Sequence, residues 1–203
     1  MARRKISAER TERIFAKHGC LFGMRGVYTT AIVVWSFLSQ VLRDGKEASC
    51  QAAVARVVRY CEQAGIDSPT ADTGDYCRAR AKLSEAALHE LSCEVAGELE
   101  ASADESWLWK GKHPKLIDGF TFTMPDTPKN QAEYPQHKAQ APGVGLPIAR
   151  AVAIVSLATA CVMDVLHCSG TSVHFHPLAG AERVDQPRDA DNRGNAHLAS
   201  NDC

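Results

Sequence analysis

Residues Lys115–Asp126 read KLIDGFTFTMPD, and the architecture of the chain turns on how this stretch extends. Lys115–Ile117 predicts a short strand that delivers one carboxylate, Asp118, to a turn at Gly119. Phe120–Met124 alternates Phe with Thr, which predicts a second extended piece, and Pro125 stops it. An aspartate at a strand end commonly starts a turn by bonding to nearby backbone groups. The sequence on both sides gives Asp118 a second reading.

On the N-terminal side stands Trp107-Leu108-Trp109-Lys110-Gly111-Lys112, aromatic and basic. Such a run can lie on nucleic acid, where stacking of a base on an aromatic ring is worth roughly 1–3 kcal/mol. The plainer expectation is a first strand with its aromatics in the core. On the C-terminal side, Pro125–Gly145 carries Pro125, Pro128, Pro135 and Pro142, which predicts no regular structure there. A loop of that length is functional or disordered. It holds Lys129, His137 and Lys138, suited to phosphates, and Asn130, Gln131 and Tyr134, suited to bases or sugar. Ile148–Leu157 and Cys161–His167 then predict two strands from their Val and Ile content, with Leu157–Ala160 as the turn. The Ala content keeps a single helix open as an alternative.

Upstream the pattern is helical. Ser7 predicts the cap of a first helix through Lys17, with Ile14 and Phe15 on its apolar side. Thr29 or Thr30 caps a second through Arg43, apolar around most of its circumference and so central and buried. Ser49 caps a third, Cys50–Ala64, with Val54, Val57, Val58 and Cys61 as its core stripe and Gly65 in the left-handed position that ends it. Asp72 or Thr73 begins a short helix through Ala81. Ser84 begins a longer acidic one through about Ala103, with a seam at Leu88, Leu91, Val95 and Leu99.

The 203 residues suffice for one or two domains. The formal net charge of -1 hides an asymmetry. Residues 1–60 hold 11 Lys and Arg against 4 Asp and Glu, and residues 61–105 hold 3 against 11. A basic N-terminal block points to a polyanionic partner or to a solvated helical surface. The eight cysteines include no C-x-x-C pair, which predicts reduced thiols in a cytoplasmic protein. The apolar runs Thr29–Leu42 and Ala151–Met163 are too short to span a bilayer, so no membrane partner is expected. After His167 the periodicity ends, which predicts a disordered tail over 168–203. The spacing of His167, Cys168, His174 and His176 in and beside that tail matches no zinc pattern.

The run WLWKGKHPKLIDGFTFTMPDTPKNQAEYPQ, followed after a short gap by GVGLPIARAVAIVSLATACVMDV, resembles bacterial insertion-sequence transposases of the DDE class, in the group called IS-four. The pieces VVWSFLSQVL, SCQAAVARVV and DTGDYCRARAKLSEAAL resemble the helical N-terminal part of the same proteins. The resemblance runs from about residue 28 to about residue 167. It implies an α/β fold. A helical N-terminal domain over 1–105 would bind DNA or assemble, and the first three strands of a ribonuclease-H-like core would occupy 106–167. In that family three carboxylates hold two divalent ions, usually Mg²⁺, for strand cleavage and transfer. Asp118 falls on the first of the three positions. Asp164 lies inside the third strand and matches no catalytic position, and Glu182, Asp185, Asp189 and Asp191 match nothing.

One carboxylate does not assemble a two-metal site, so this polypeptide alone is expected not to transpose DNA and not to bind Mg²⁺ tightly. The abrupt change near Cys168 predicts a shifted reading frame or a broken element. Three functions follow as expectations. The chain is a transposase by descent, truncated and catalytically incomplete; or a DNA-binding or assembly module that occupies transposon ends or poisons a full-length transposase, with that transposase or a second copy of itself as protein partner; or a remnant without function. Asp118 is the candidate catalytic and metal residue. Arg56, Arg59, Lys110, Lys112, Lys129 and Lys138 are the candidate DNA contacts.

Overall fold

Four hydroxyl side chains set the helical frame, and each accepts a bond from the backbone N–H three residues on. Ser7 caps α1 (Ala8–Lys17), Thr29 caps α2 (Thr30–Val41), Ser49 caps α3 (Cys50–Ala64) and Ser84 caps α5 (Glu85–Ala101). The bond lengths are 3.1, 3.3, 3.1 and 3.3 Å, and each such cap is worth about 1 kcal/mol. These elements come from a computed structural model that describes residues 6–134 and 145–168. At the end of α3, Gly65 adopts φ 66°. The Ile66 N–H then reaches back to the Cys61 carbonyl at 3.1 Å, closing the helix with a Schellman bond. Between α3 and α5 lies the short α4 (Gly74–Arg80). One short 3₁₀ turn, Gly45–Ala48, links α2 to α3, and another, Glu105–Trp107, follows α5.

Two cores hold the helices. Ile14 and Phe15 of α1, Val34 of α2, and Ala87 and Leu91 of α5 form the first. The predicted α5 seam is this surface, since Leu88 and Val95 pack on it as well. Ala53 and Val54 of α3 and Tyr76 of α4 form the second, with Tyr28 tilted against Tyr76 at 6.0 Å. The first half of α2 is buried as expected, but Val41 and Leu42 at its end are exposed.

Among the described residues the sheet has three antiparallel strands in the order β1 (Lys115–Thr123), β2 (Ile148–Ser156), β3 (Val162–Cys168). The turn expected at Gly119 does not form. β1 is continuous, and Gly119 pairs with Val152 in an unbroken register from Lys115↔Ser156 to Thr123↔Ile148. Pairing with β2 along the whole strand outweighs the turn preference of an isolated Asp-Gly pair. The β2–β3 hairpin forms as predicted, with Ala160 at φ 56° in its turn. The proline-rich stretch is not wholly irregular. Thr127 caps a short α6 (Pro128–Glu133), and a proline is compatible with the first turn of a helix.

α5 packs along β3, so the described helices and the sheet belong to one compact unit. All nine residues of β1, at the sheet edge, are exposed. Among the described residues, no helix is long and apolar enough to cross a membrane. Cys20, Cys50, Cys61, Cys77, Cys93 and Cys161 are free thiols. Cys168, where the predicted tail begins, is the last residue of β3, and residues 169–203, with His174 and His176, lie outside the described residues.

Candidate nucleic-acid interface

Part of the basic block at the N-terminus is paired within the fold. Arg13 bonds Glu94, Lys17 and His18 both bond Glu90 at 2.7 Å, and Arg10 pairs with Glu94 and Glu98. The glutamates belong to the acidic α5, so part of the charge asymmetry of the sequence is an interhelical zipper. Bonds from Lys17 and His18 hold the Glu90 carboxyl below its ordinary range, in spite of some burial.

Arg56 is similarly committed. Its guanidinium donates to Ser39 Oγ at 3.1 Å, to the Glu47 carbonyl at 3.1 Å and to Glu47 Oε2 at 3.3 Å. It ties α3 to the end of α2 and to the turn that follows. Arg59 is exposed on α3, and Lys129 is exposed on α6. Lys138 and His137 lie outside the described residues.

Lys110 and Lys112 are placed differently. Their segment was expected to form a first strand with its tryptophans in the core, and it does not. Trp109 and Lys112 exchange backbone bonds of 2.9 and 3.0 Å across a two-residue turn. Lys110 at φ 51° and Gly111 at φ 73° supply the two left-handed residues that a type I′ turn requires. In this tight reversal and the turn before it, Trp107 is 59% and Trp109 62% exposed. The Lys110 ammonium sits 4.9 Å from the centre of the Trp109 ring. Two uncovered indoles therefore stand on one short segment with Lys110, Lys112 and His113, all exposed. Flat π-faces beside cations suit unstacked bases and phosphates. The base of this segment is anchored by Glu100 of α5, which pairs with both His113 and Lys115. Burial pushes the Glu100 carboxyl up, yet bonds from Lys115, Ser156 and Thr159 bring it down to about 2.

Asp118 lies in the middle of β1, not at a strand end. It is exposed and faces Ala153 of β2, whose own partner on β3 is Val165. Its same-face neighbours along β1 are Leu116 and Phe120. One carboxylate among alkyl and phenyl groups does not fit a magnesium site, which takes several oxygen ligands. Strand alternation also sets Asp118 and Asp164 on opposite faces of the sheet, since Asp164 pairs with Ile154.

Sequence reasoning missed one convergence. His89 and Cys93 of α5 meet Asp164 of β3. The spacing of four residues between His89 and Cys93 was a readable signal. The third partner, 71 residues further on, had none.

No family model, curated protein or solved structure matches this chain.

Proposed function

We propose that this chain is a cytoplasmic, non-catalytic DNA-binding module of insertion-sequence transposase descent, whose sheet is the beginning of a ribonuclease-H-like core. The ordered sequence blocks support the descent. The single observation that supports DNA contact is the exposed segment Trp107 to Lys112, with its two exposed indoles and two exposed lysines, Lys110 beside the Trp109 ring. Asp118 stands at the family's first carboxylate position without converging partners among the described residues, and no cleavage step is assigned to it. The partner is DNA at transposon ends, and a full-length transposase or a second copy is the competitor or companion there.

The test is binding of a duplex that carries any inverted repeat flanking the coding sequence, compared with a scrambled duplex, across a salt series. Phosphate contacts release counterions, so affinity falls with salt at a slope of about −0.9 per phosphate neutralised. Lys110→Ala and Lys112→Ala each lower that slope by about one. Magnesium-dependent nicking of the duplex that is lost in Asp118→Asn contradicts the non-catalytic reading. Aggregation or a broad, non-cooperative melt favours a remnant instead, since the exposed β1 edge can pair with other chains.

A further inference from the structure

Three side chains capable of binding a metal converge where α5 crosses β3. His89 and Cys93 stand four residues apart on α5 and so project from one face of the helix, and Asp164 reaches them from β3. His89 Nε2 lies 2.7 Å from Asp164 Oδ1 and 3.7 Å from Cys93 Sγ, and all three donor atoms fall within 4.8 Å of one another. The Val165 N–H donates to Asp164 Oδ1 at 2.8 Å and fixes the direction of the carboxylate.

We propose that His89, Cys93 and Asp164 form a zinc site that clamps α5 to β3. One sulfur, one imidazole nitrogen and one carboxylate oxygen make the mixed donor set that zinc accepts and magnesium does not. The spacing agrees. Zinc–nitrogen and zinc–sulfur bonds of about 2.0–2.1 and about 2.3 Å at tetrahedral angles set N and S about 3.5 Å apart, close to the 3.7 Å found. The nitrogen–oxygen pair opens from 2.7 Å to about 3.3 Å, as two bonds to the ion replace one hydrogen bond. On binding, the Cys93 thiol gives its proton to solvent. The His89 ring carries its proton on Nδ1, leaving the Nε2 lone pair for the metal. Asp164 is 13% exposed and His89 49% exposed, so the site opens to solvent on the histidine side. Water takes the fourth position.

This assignment is independent of DNA contact, and its test reads the metal alone. The full chain is stripped with a chelator and titrated with Co²⁺ as a spectroscopic probe, then with Zn²⁺. The expected result is a thiolate-to-cobalt charge-transfer band with intense tetrahedral d–d bands, saturating at one equivalent and displaced by zinc. X-ray absorption of the zinc-loaded wild type then finds one sulfur and three nitrogen or oxygen neighbours, a readout that depends on no variant. Cys93→Ser abolishes the charge-transfer band. His89→Gln and Asp164→Asn each weaken zinc by more than about 100-fold, beyond the 10–100-fold cost of losing a group that only supports a ligand. The Cys50→Ala/Cys77→Ala variant keeps the band. No band at one equivalent, two or more sulfurs around zinc, or a band that survives Cys93→Ser overturns the site.

Discussion

Arg13 of α1 holds Glu94 of α5 through one guanidinium nitrogen, Nη2, which lies 3.1 Å from Oε1 and 2.8 Å from Oε2. This pair stands mid-way along an interhelical zipper that runs from Lys17 and His18 against Glu90 to Arg10 against Glu98. The zipper uses part of the contrast between the basic residues of 1–60 and the acidic residues of 61–105. It also gives those cations partners within the fold.

Charge reversal tests the zipper. Arg13→Glu sets like charges together and lowers the melting temperature, and Arg13→Glu/Glu94→Arg recovers it. Equal melting temperatures for the single and double variants contradict the pairing. The same single variant leaves DNA affinity nearly unchanged if the zipper, and not a polyanion, occupies α1.

Glu100 sets a pH dependence. Its carboxyl sits at about 2 in the fold against 4.5 ordinarily. The stability it contributes is therefore complete above about pH 4.5 and is lost as pH falls from there toward about 2. Glu100→Gln is expected to cost about 1.5–3 kcal/mol at neutral pH, the range for hydrogen bonds to charged groups. Urea midpoints measured at neutral pH and near pH 3 should show the gap between wild type and variant closing in acid. A gap that stays constant with pH contradicts this assignment.

Gly23 has little room. It adopts φ +75°, and a Cβ there would stand 2.2 Å from the Tyr28 carbonyl oxygen, a backbone atom. Gly19 has φ +65° with nothing within 4 Å. Gly19→Ala carries only the left-handed strain of about 1–2 kcal/mol, whereas Gly23→Ala adds a backbone clash and must cost more. Denaturant unfolding of the two variants gives the order, and equal losses refute it.

Local chemistry made the helices legible. Ser7, Thr29, Ser49, Ser84 and Gly65 mark boundaries through bonds that span three to five residues, and sequence carries such information directly. The β2–β3 hairpin was legible from its Val and Ile runs. Gly119 was misread because a turn preference is local, while the register that overrides it comes from β2, some thirty residues later. The tryptophan segment was misread for a similar reason. Its left-handed pair, Lys110 and Gly111, closes a reversal before any strand can carry the indoles into the core. The candidate interface was half legible, since Lys110 and Lys112 were named while Arg56 proved to be tied to Glu47 and Ser39. The meeting of His89 and Cys93 with Asp164 depends on how α5 crosses β3, which no local pattern encodes.

The proposal that Trp107 to Lys112 contacts DNA is tested most directly by tryptophan fluorescence during titration with a short DNA duplex bearing a single-stranded tail. The account predicts quenching at low salt that reverses as salt is raised. It also predicts that Trp109→Ala weakens binding by about 1–3 kcal/mol, the worth of one base–aromatic stack, with the thermal melt unchanged because the indole is exposed. Unquenched fluorescence at low salt, or equal affinity for Trp109→Ala and wild type, contradicts it.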